Sequence, residues 1–413
     1  MVIPNVPINS SAMSTPVDSS SADSPDPGAS RTATHDRLIA PLRRFAFPIG
    51  VFLWSRLLVW IVALSVTWYK PESTVRNSLT GWDAGWFLRI AEFGYPNSLA
   101  EEAGGGSRWA FFPLFPFLIR ITARVLGLKY ATAGILLTLI VGALAVAAVY
   151  AIARDRFGEE TAKSAALLLC FFPTSYVLSM VYSDGLFILF AALALHWIGK
   201  ERWLWAGLAI SGASLTRGFG TVLMVAGGVE ALLIAHRARS TKPLRIALTA
   251  PLGYLLWTGY QWRAVGDPFA FKQAYTYWHT EFVWFKTPFS ALWSLSTETS
   301  AWHTAQQFTA ALALAFAVAG MTLLGRAHLK LHRVPVSWWI YGVGSTLLTF
   351  SPNFATSYLR YSMSIIPAVI GVACHLGARS RTLAIGTFAM VHVCIAFIAF
   401  VGLLSWQTAP FAP

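Results

Sequence analysis

Apolar runs long enough to cross a bilayer recur along most of this chain, and that repetition constrains its fold more than any other feature. A helix rising ~1.5 Å per residue needs ~20 apolar residues to span the hydrocarbon core. The clearest such runs occupy residues 47–69, 131–153, 244–262, 304–325 and 382–405. Shorter ones lie at 164–181, 184–199, 203–215, 219–235, 336–351 and 359–376. Together they predict about eleven spans, several of them short, as where helices break around a cavity. Only 12% of the 413 residues are charged, against ~25% in a soluble domain. A soluble enzyme, a disordered chain and a coiled coil are excluded. The expected fold class is an all-α polytopic membrane protein.

The net charge of +13 would suggest nucleic acid in a soluble protein. Here the basic residues fall between spans, as in cytoplasmic loops, and no nucleic-acid partner is expected. Cys170, Cys374 and Cys394 sit in apolar runs without a CxxC pair and read as buried, inert thiols. Residues 1–40, rich in Ser, Pro and Asp, cannot bury enough apolar surface to order themselves. With no apolar segment of the secretory type, they are expected to form a disordered cytoplasmic tail ahead of a membrane domain over 41–413.

Trp109–Leu128 carries Pro113, Pro116, Arg120 and Arg124 and makes a poor lipid-exposed span. It reads as a re-entrant or interfacial helix. With that choice the basic groups Arg154, Arg156 and Lys163, Lys200 and Arg202, Arg237 to Arg245, Arg326 to Arg333, and Arg379 and Arg381 all fall inside. The amino terminus is then inside and the carboxyl terminus outside. The long loops 70–130 and 263–303 fall outside, with the junctions at 182–184, 216–218 and 351–358. Asp83, Glu92, Asp184, Arg217, Asp267 and Arg360 consequently share one face, which places a site at the outer membrane–water boundary.

Asp83 opens an amphipathic segment in which Trp86, Phe87, Ile90 and Phe93 recur at helical spacing, with Trp82 and Trp86 suited to the headgroup layer. Its carboxylate reads either as an N-cap or as a general base held at the membrane surface. Arg217, between two apolar runs, reads as a contact to a lipid phosphate or as a snorkelling cation. Arg360 has the same two readings, snorkelling being the simpler. Glu92 reads as a surface partner of Arg89, Asp184 as a helix cap, and Asp267-Pro268 as a turn. His328 and His332 stand at i, i+4 among Arg326, Lys330 and Arg333, where a cationic cluster outweighs a metal site. Nothing in the sequence positions His279 or His303. Trp278, Trp284, Trp293 and Trp302 read as an interfacial belt, with sugar stacking the sharper alternative.

The run Trp82-Asp83 with Phe87-Leu-Arg-Ile-Ala-Glu-Phe-Gly-Tyr95, followed by Trp109-Ala-Phe-Phe-Pro-Leu-Phe-Pro116, resembles the second GPI mannosyltransferase family, the PIG-V type. Phe171-Phe-Pro-Thr-Ser175, Tyr182-Ser-Asp-Gly-Leu-Phe187, Leu215-Thr-Arg-Gly218, Gly266-Asp-Pro-Phe-Ala-Phe271 and Arg360-Tyr361 follow in the same order. The first block is specific, and the later ones are shared loosely with other transferases of the GT-C fold. The resemblance implies a GT-C mannosyltransferase, with amphipathic helices in its first outer loop. Its donor would be polyprenyl- or dolichyl-phosphate mannose, and its acceptor a glycolipid or lipoglycan.

Asp83 matches the family's essential acid, implying a base for inverting attack; Trp82, Glu92, Asp184, Arg217, Asp267 and Arg360 become substrate-binding candidates. Many relatives have Glu where Asp184 stands. No D-x-D occurs, so no cofactor is called for and a divalent metal stays open. The implied location is the plasma membrane of a bacterium, to which the Ala- and Arg-rich usage points, or the endoplasmic reticulum of a eukaryote. The competing class is a secondary transporter or lipid flippase, which broken spans would also suit. Such proteins show paired internal repeats, and this sequence has none.

Overall fold

The computed structural model describes residues 27–102, 105–278, 280–283, 286, 301–331, 334–353 and 357–407. The first 26 residues of the expected tail, with His279, Trp284, Trp293 and His332, lie outside these, as do the side chains of Trp302 and His303. The chain divides into a unit of residues 1–45 and a unit of residues 46–413. Among the described residues the structure is helical, with one isolated antiparallel bridge between Phe282 and Pro352.

Helix α1 spans Pro27–Tyr69, and short α2 (Val75–Leu79) leads to α3 (Asp83–Phe93). Next come α4 (Leu114–Leu126), α5 (Tyr130–Phe157) and α6 (Glu159–Phe171). Helices α7 (Asp184–Gly199), α8 (Trp203–Ser214) and α9 (Gly220–Ala238) follow, then α10 (Leu252–Val265) and α11 (Ala270–Thr276). The chain ends with α12 (Ala301–Leu331), α13 (Val336–Phe350), α14 (Tyr358–Met363), α15 (Ile366–Ala373) and α16 (Ala378–Gln407).

Among the described residues, five segments are long and apolar enough to cross a membrane: Arg44–Tyr69, Tyr130–Phe157, Gly220–Ala238, Phe308–Lys330 and Arg379–Val401. Four match the clearest runs in the sequence. The expected span 244–262 is instead broken: a 3-10 turn over Lys242–Leu248 stops at Thr249, and Pro251 opens α10. Proline lacks the N–H that would continue the turn. Gly220–Ala238 takes its place among the long helices. The run 359–376 likewise divides into α14 and α15.

The segment around α4 shows why Arg120 need not face lipid. Arg120 Nε donates to the Ala91 carbonyl at 2.5 Å and Nη2 to Ile90 at 3.1 Å, satisfying end-of-helix carbonyls on α3. At 13 residues, α4 is only ~20 Å long. Arg56 plays a comparable part inside α1. It is buried, donating to the carbonyls of Ser175 and Cys170 and to the Ser175 and Ser179 hydroxyls. An arginine in a span thus holds the Phe171–Ser175 turn in place.

Two glycine contacts set the helix crossings that matter for the site. A Cβ on Gly185 would meet the Gly142 backbone at 3.3 Å, so α7 and α5 touch backbone to backbone. A Cβ on Gly371 would overlap the Gly320 carbonyl, bringing α15 equally close to α12. Close approach of this kind is available only to residues without a side chain.

Candidate active site

Five short segments, far apart in the chain, converge at one end of α7 and α8. Val181 N–H donates to the Leu79 carbonyl at 3.0 Å, and Asp83 N–H to the Tyr182 hydroxyl at 3.2 Å. Leu114 N–H donates to the Leu215 carbonyl at 3.0 Å, joining the Phe-Pro-rich block to the Leu-Thr-Arg-Gly block. The Phe219 and Tyr361 rings lie 5.4 Å apart and bring in α14.

Here Asp83, Asp184, Arg217 and Arg360 meet. Arg360 Nη1 donates to Asp83 Oδ2 at 2.8 Å, and Arg217 Nη2 to Asp184 Oδ2 at 2.5 Å. Arg217 Nε also donates to Ser183 Oγ at 3.1 Å. The pairs are linked, since Arg360 Nε lies 3.8 Å from Asp184 Oδ1. Asp184 is fully buried, Arg217 and Arg360 keep 11% and 12% of their side chains exposed, and Asp83 keeps 30%. Neither arginine snorkels.

Tyr361 lies under both guanidiniums, 4.9 Å from Arg360 and 5.3 Å from Arg217, and Tyr182 is 5.0 Å from Arg360. Such ring faces attract cations and exclude water. Burial first, and then the Asp83 charge, push the Tyr182 hydroxyl well above its ordinary value and keep it neutral. Tyr275 of α11 is within electrostatic reach of Tyr361, Arg217, Asp83 and Arg360. Two donors in this network are unspent. Arg217 Nη1 and Arg360 Nε are buried and have no hydrogen-bond partner among the described residues. Buried guanidinium donors without acceptors are costly.

Asp83 is the first residue of α3 rather than its cap: Trp82 precedes the helix at φ +53° and makes no capping bond. A bulky residue in that left-handed region stores ~1–3 kcal/mol of strain, a pattern that clusters at functional sites. Trp82 itself is 41% exposed. Asp184 likewise begins its helix and turns its carboxylate to Arg217.

The remaining candidates stand apart. Glu92 is exposed and makes no ion pair among the described residues; Arg89 instead approaches Glu102 at 4.0 Å. Asp267 accepts from Phe269 N–H at 2.8 Å, the turn its sequence suggested. Trp278 packs against Trp86 and Phe111 at 5.3 and 5.8 Å, in an aromatic layer between the two long loops. His328 packs edge-on to Trp339. No group of three or more His, Cys, Asp or Glu side chains placed to hold a metal occurs among the described residues, and one oxygen of each central carboxylate is bonded to an arginine.

Tyr182, Ser183, Tyr275 and Tyr361 were not apparent as site residues from sequence. Three of them lie within the matched motifs, but an aromatic or serine beside an apolar run carries no signal to distinguish it from core.

Comparison with known proteins was informative at the level of the fold. Residues 112–259 match the family described as dolichyl-phosphate-mannose-protein mannosyltransferase. No curated protein sequence matches the chain. Among solved structures, the apo oligosaccharyltransferase of Archaeoglobus fulgidus is similar at 13% identity and TM-score 0.51, over 87% of this chain and 56% of that one. The same enzyme tethered to an acceptor peptide gives 13% identity and TM-score 0.50, over 87% and 55%. The fold is GT-C. ArnT from Cupriavidus metallidurans bound to undecaprenyl phosphate gives 13% identity and TM-score 0.49, over 87% and 77%. The chain thus spans little more than half the length of the archaeal enzyme. This GT-C chain is a multi-pass membrane protein.

Proposed function

We propose that this protein is a membrane glycosyltransferase that moves mannose from polyprenyl- or dolichyl-phosphate mannose to a lipid-linked or glycan acceptor, with inversion, at the outer face. The observation that carries the reading is a half-exposed carboxylate beside two buried guanidiniums with unspent donors. A base and a phosphate-binding pair then stand side by side. The match of residues 112–259 to a dolichyl-phosphate-mannose-dependent family supports the donor class, and Arg217 lies within that region. Trp82, next to Asp83 and 41% exposed, is assigned to the rim over which donor and acceptor enter.

In this reading the donor phosphate accepts from Arg217 Nη1 and Arg360 Nε. Arg360 Nη1 holds Asp83 Oδ2, leaving Oδ1 to receive a proton. An acceptor hydroxyl attacks the anomeric carbon as its proton passes to Asp83. The carbon–phosphate-oxygen bond breaks, and polyprenyl phosphate departs with the bonding electrons. A phosphate leaving group of low pKa needs no general acid, and a β-linked donor gives an α-mannoside.

The test is transfer of radiolabelled mannose from polyprenyl-phosphate mannose in membranes holding wild type or Asp83→Asn, with native lipid extract as acceptor. Labelled product from wild type, reduced on the order of 100-fold or more in Asp83→Asn at equal protein level, is expected of a lost base. Equal product from both removes Asp83 as the base. No product from wild type overturns the donor class and favours the transporter reading.

A further inference from the structure

At the opposite end of α7, α8 and α9 from the acid–arginine cluster lies a cleft of about 400 Å³. It forms where α7 ends at Gly199, α8 begins at Trp203, α9 ends at Ala238 and the Lys242–Leu248 turn begins. Its lining includes Arg202, Lys242 and Arg245, with one acid, Glu201, and the side chains of Trp205 and Ser240. All three cations are exposed, and none has a side-chain hydrogen bond or ion pair among the described residues. Elsewhere on the chain comparable cations are spent: Arg154 on Glu159, Lys200 on Asp155 and Arg381 on Glu160.

The cleft is pre-formed. Thr249 Oγ1 donates to the Leu204 carbonyl at 3.1 Å, and Gly207 lets the backbone at Ile246 and Ala250 press directly on α8. Its walls therefore need little ordering on ligand arrival. Beside the charges the surface turns apolar. Trp205, Leu208, Leu244 and Leu248 are 55%, 44%, 39% and 67% exposed. Cations and a tryptophan in the lining, with exposed leucines further along the same two elements, match the chemistry of a phospholipid: phosphate, interface and acyl chain.

We propose that this cleft binds one anionic glycerophospholipid, headgroup phosphate on Arg202, Lys242 and Arg245 and acyl chains along the Leu208–Leu248 face. Charge complementarity selects the class. Three cations against one acid leave a net positive mouth that a zwitterionic headgroup satisfies poorly. The site is separate from the proposed donor site, at the other end of the same helices, so it stands or falls independently of the transferase reading.

The test is native mass spectrometry of the full chain, purified in neutral detergent and offered phosphatidylglycerol, phosphatidylcholine or polyprenyl phosphate. One phosphatidylglycerol is expected to survive collisional activation preferentially. Arg202→Gln/Lys242→Gln/Arg245→Gln should weaken it on the order of tenfold or more. Arg202→Lys/Lys242→Arg/Arg245→Lys should retain it, which guards against misfolding of the neutral variant. Arg237→Gln/Arg326→Gln/Lys330→Gln, which removes equal charge outside the cleft, should leave it unchanged. Equal weakening by that outside set would reduce the effect to general attraction and overturn the site. Retention of phosphatidylcholine as strongly as phosphatidylglycerol, or tighter retention of polyprenyl phosphate at the cleft, would also overturn it.

Discussion

Asp83 and Asp184 resemble each other in sequence, each an aspartate opening an apolar helix, yet they occupy different physical situations. Asp184 is sealed against Arg217, whereas Asp83 keeps part of its surface open beside Arg360. Removing one member of a buried pair strands its partner and costs ~3–5 kcal/mol; a partly exposed pair costs about 1 kcal/mol or less. Asp184→Ala is therefore expected to lower the thermal stability of the purified protein by several-fold more than Asp83→Asn. Comparable losses in a detergent melting series would show that both acids serve the fold alike. All four charges were legible in sequence, because charge at an apolar boundary is expensive and stands out. Their pairing was not, since the partners are 277 residues apart for Arg360–Asp83 and 33 for Arg217–Asp184.

At the scale of helices, the site depends on crossings made by residues that carry no chemistry. Gly371 holds α15 against α12, and Arg360 lies on the short helix just before α15. Gly371→Ala would drive its Cβ into the Gly320 carbonyl. Overpacking of that kind costs ~1–3 kcal/mol, so the variant should melt lower and lose transfer activity as Arg360 shifts. Gly386→Ala is the matched control, with nothing within 4 Å of its added carbon. It should be neutral or stabilising by about 0.5–1 kcal/mol. A melting temperature unchanged in both would mean that the α12–α15 contact is slack. Long helices were read correctly from hydropathy because length and apolarity are local properties. The break inside 244–262 was missed, although Pro251 marked it, because the apolar composition runs on unbroken through the kink.

For the whole molecule, the charge distribution predicts that the cluster end and the Arg202–Arg245 end face opposite compartments. In a variant lacking Cys170, Cys374 and Cys394, Ser98→Cys and Arg237→Cys should label with a membrane-impermeant maleimide from opposite sides. Labelling of both from one side would overturn the orientation and move the proposed transfer reaction to the other compartment. Composition alone was sufficient to make this an all-helical membrane protein, because backbone in lipid must satisfy its own hydrogen bonds and few folds allow that. The basic loops fixed its orientation as an expectation, and its motif order pointed to the GT-C class. Only tertiary structure decided that two arginines neutralise two aspartates at one end of a helix pair, that the Tyr182 and Tyr361 rings flank them, and that Glu92 and Asp267 stand aside. Those outcomes depend on helix crossings between distant segments, where packing and desolvation act on residues that no local window of sequence contains.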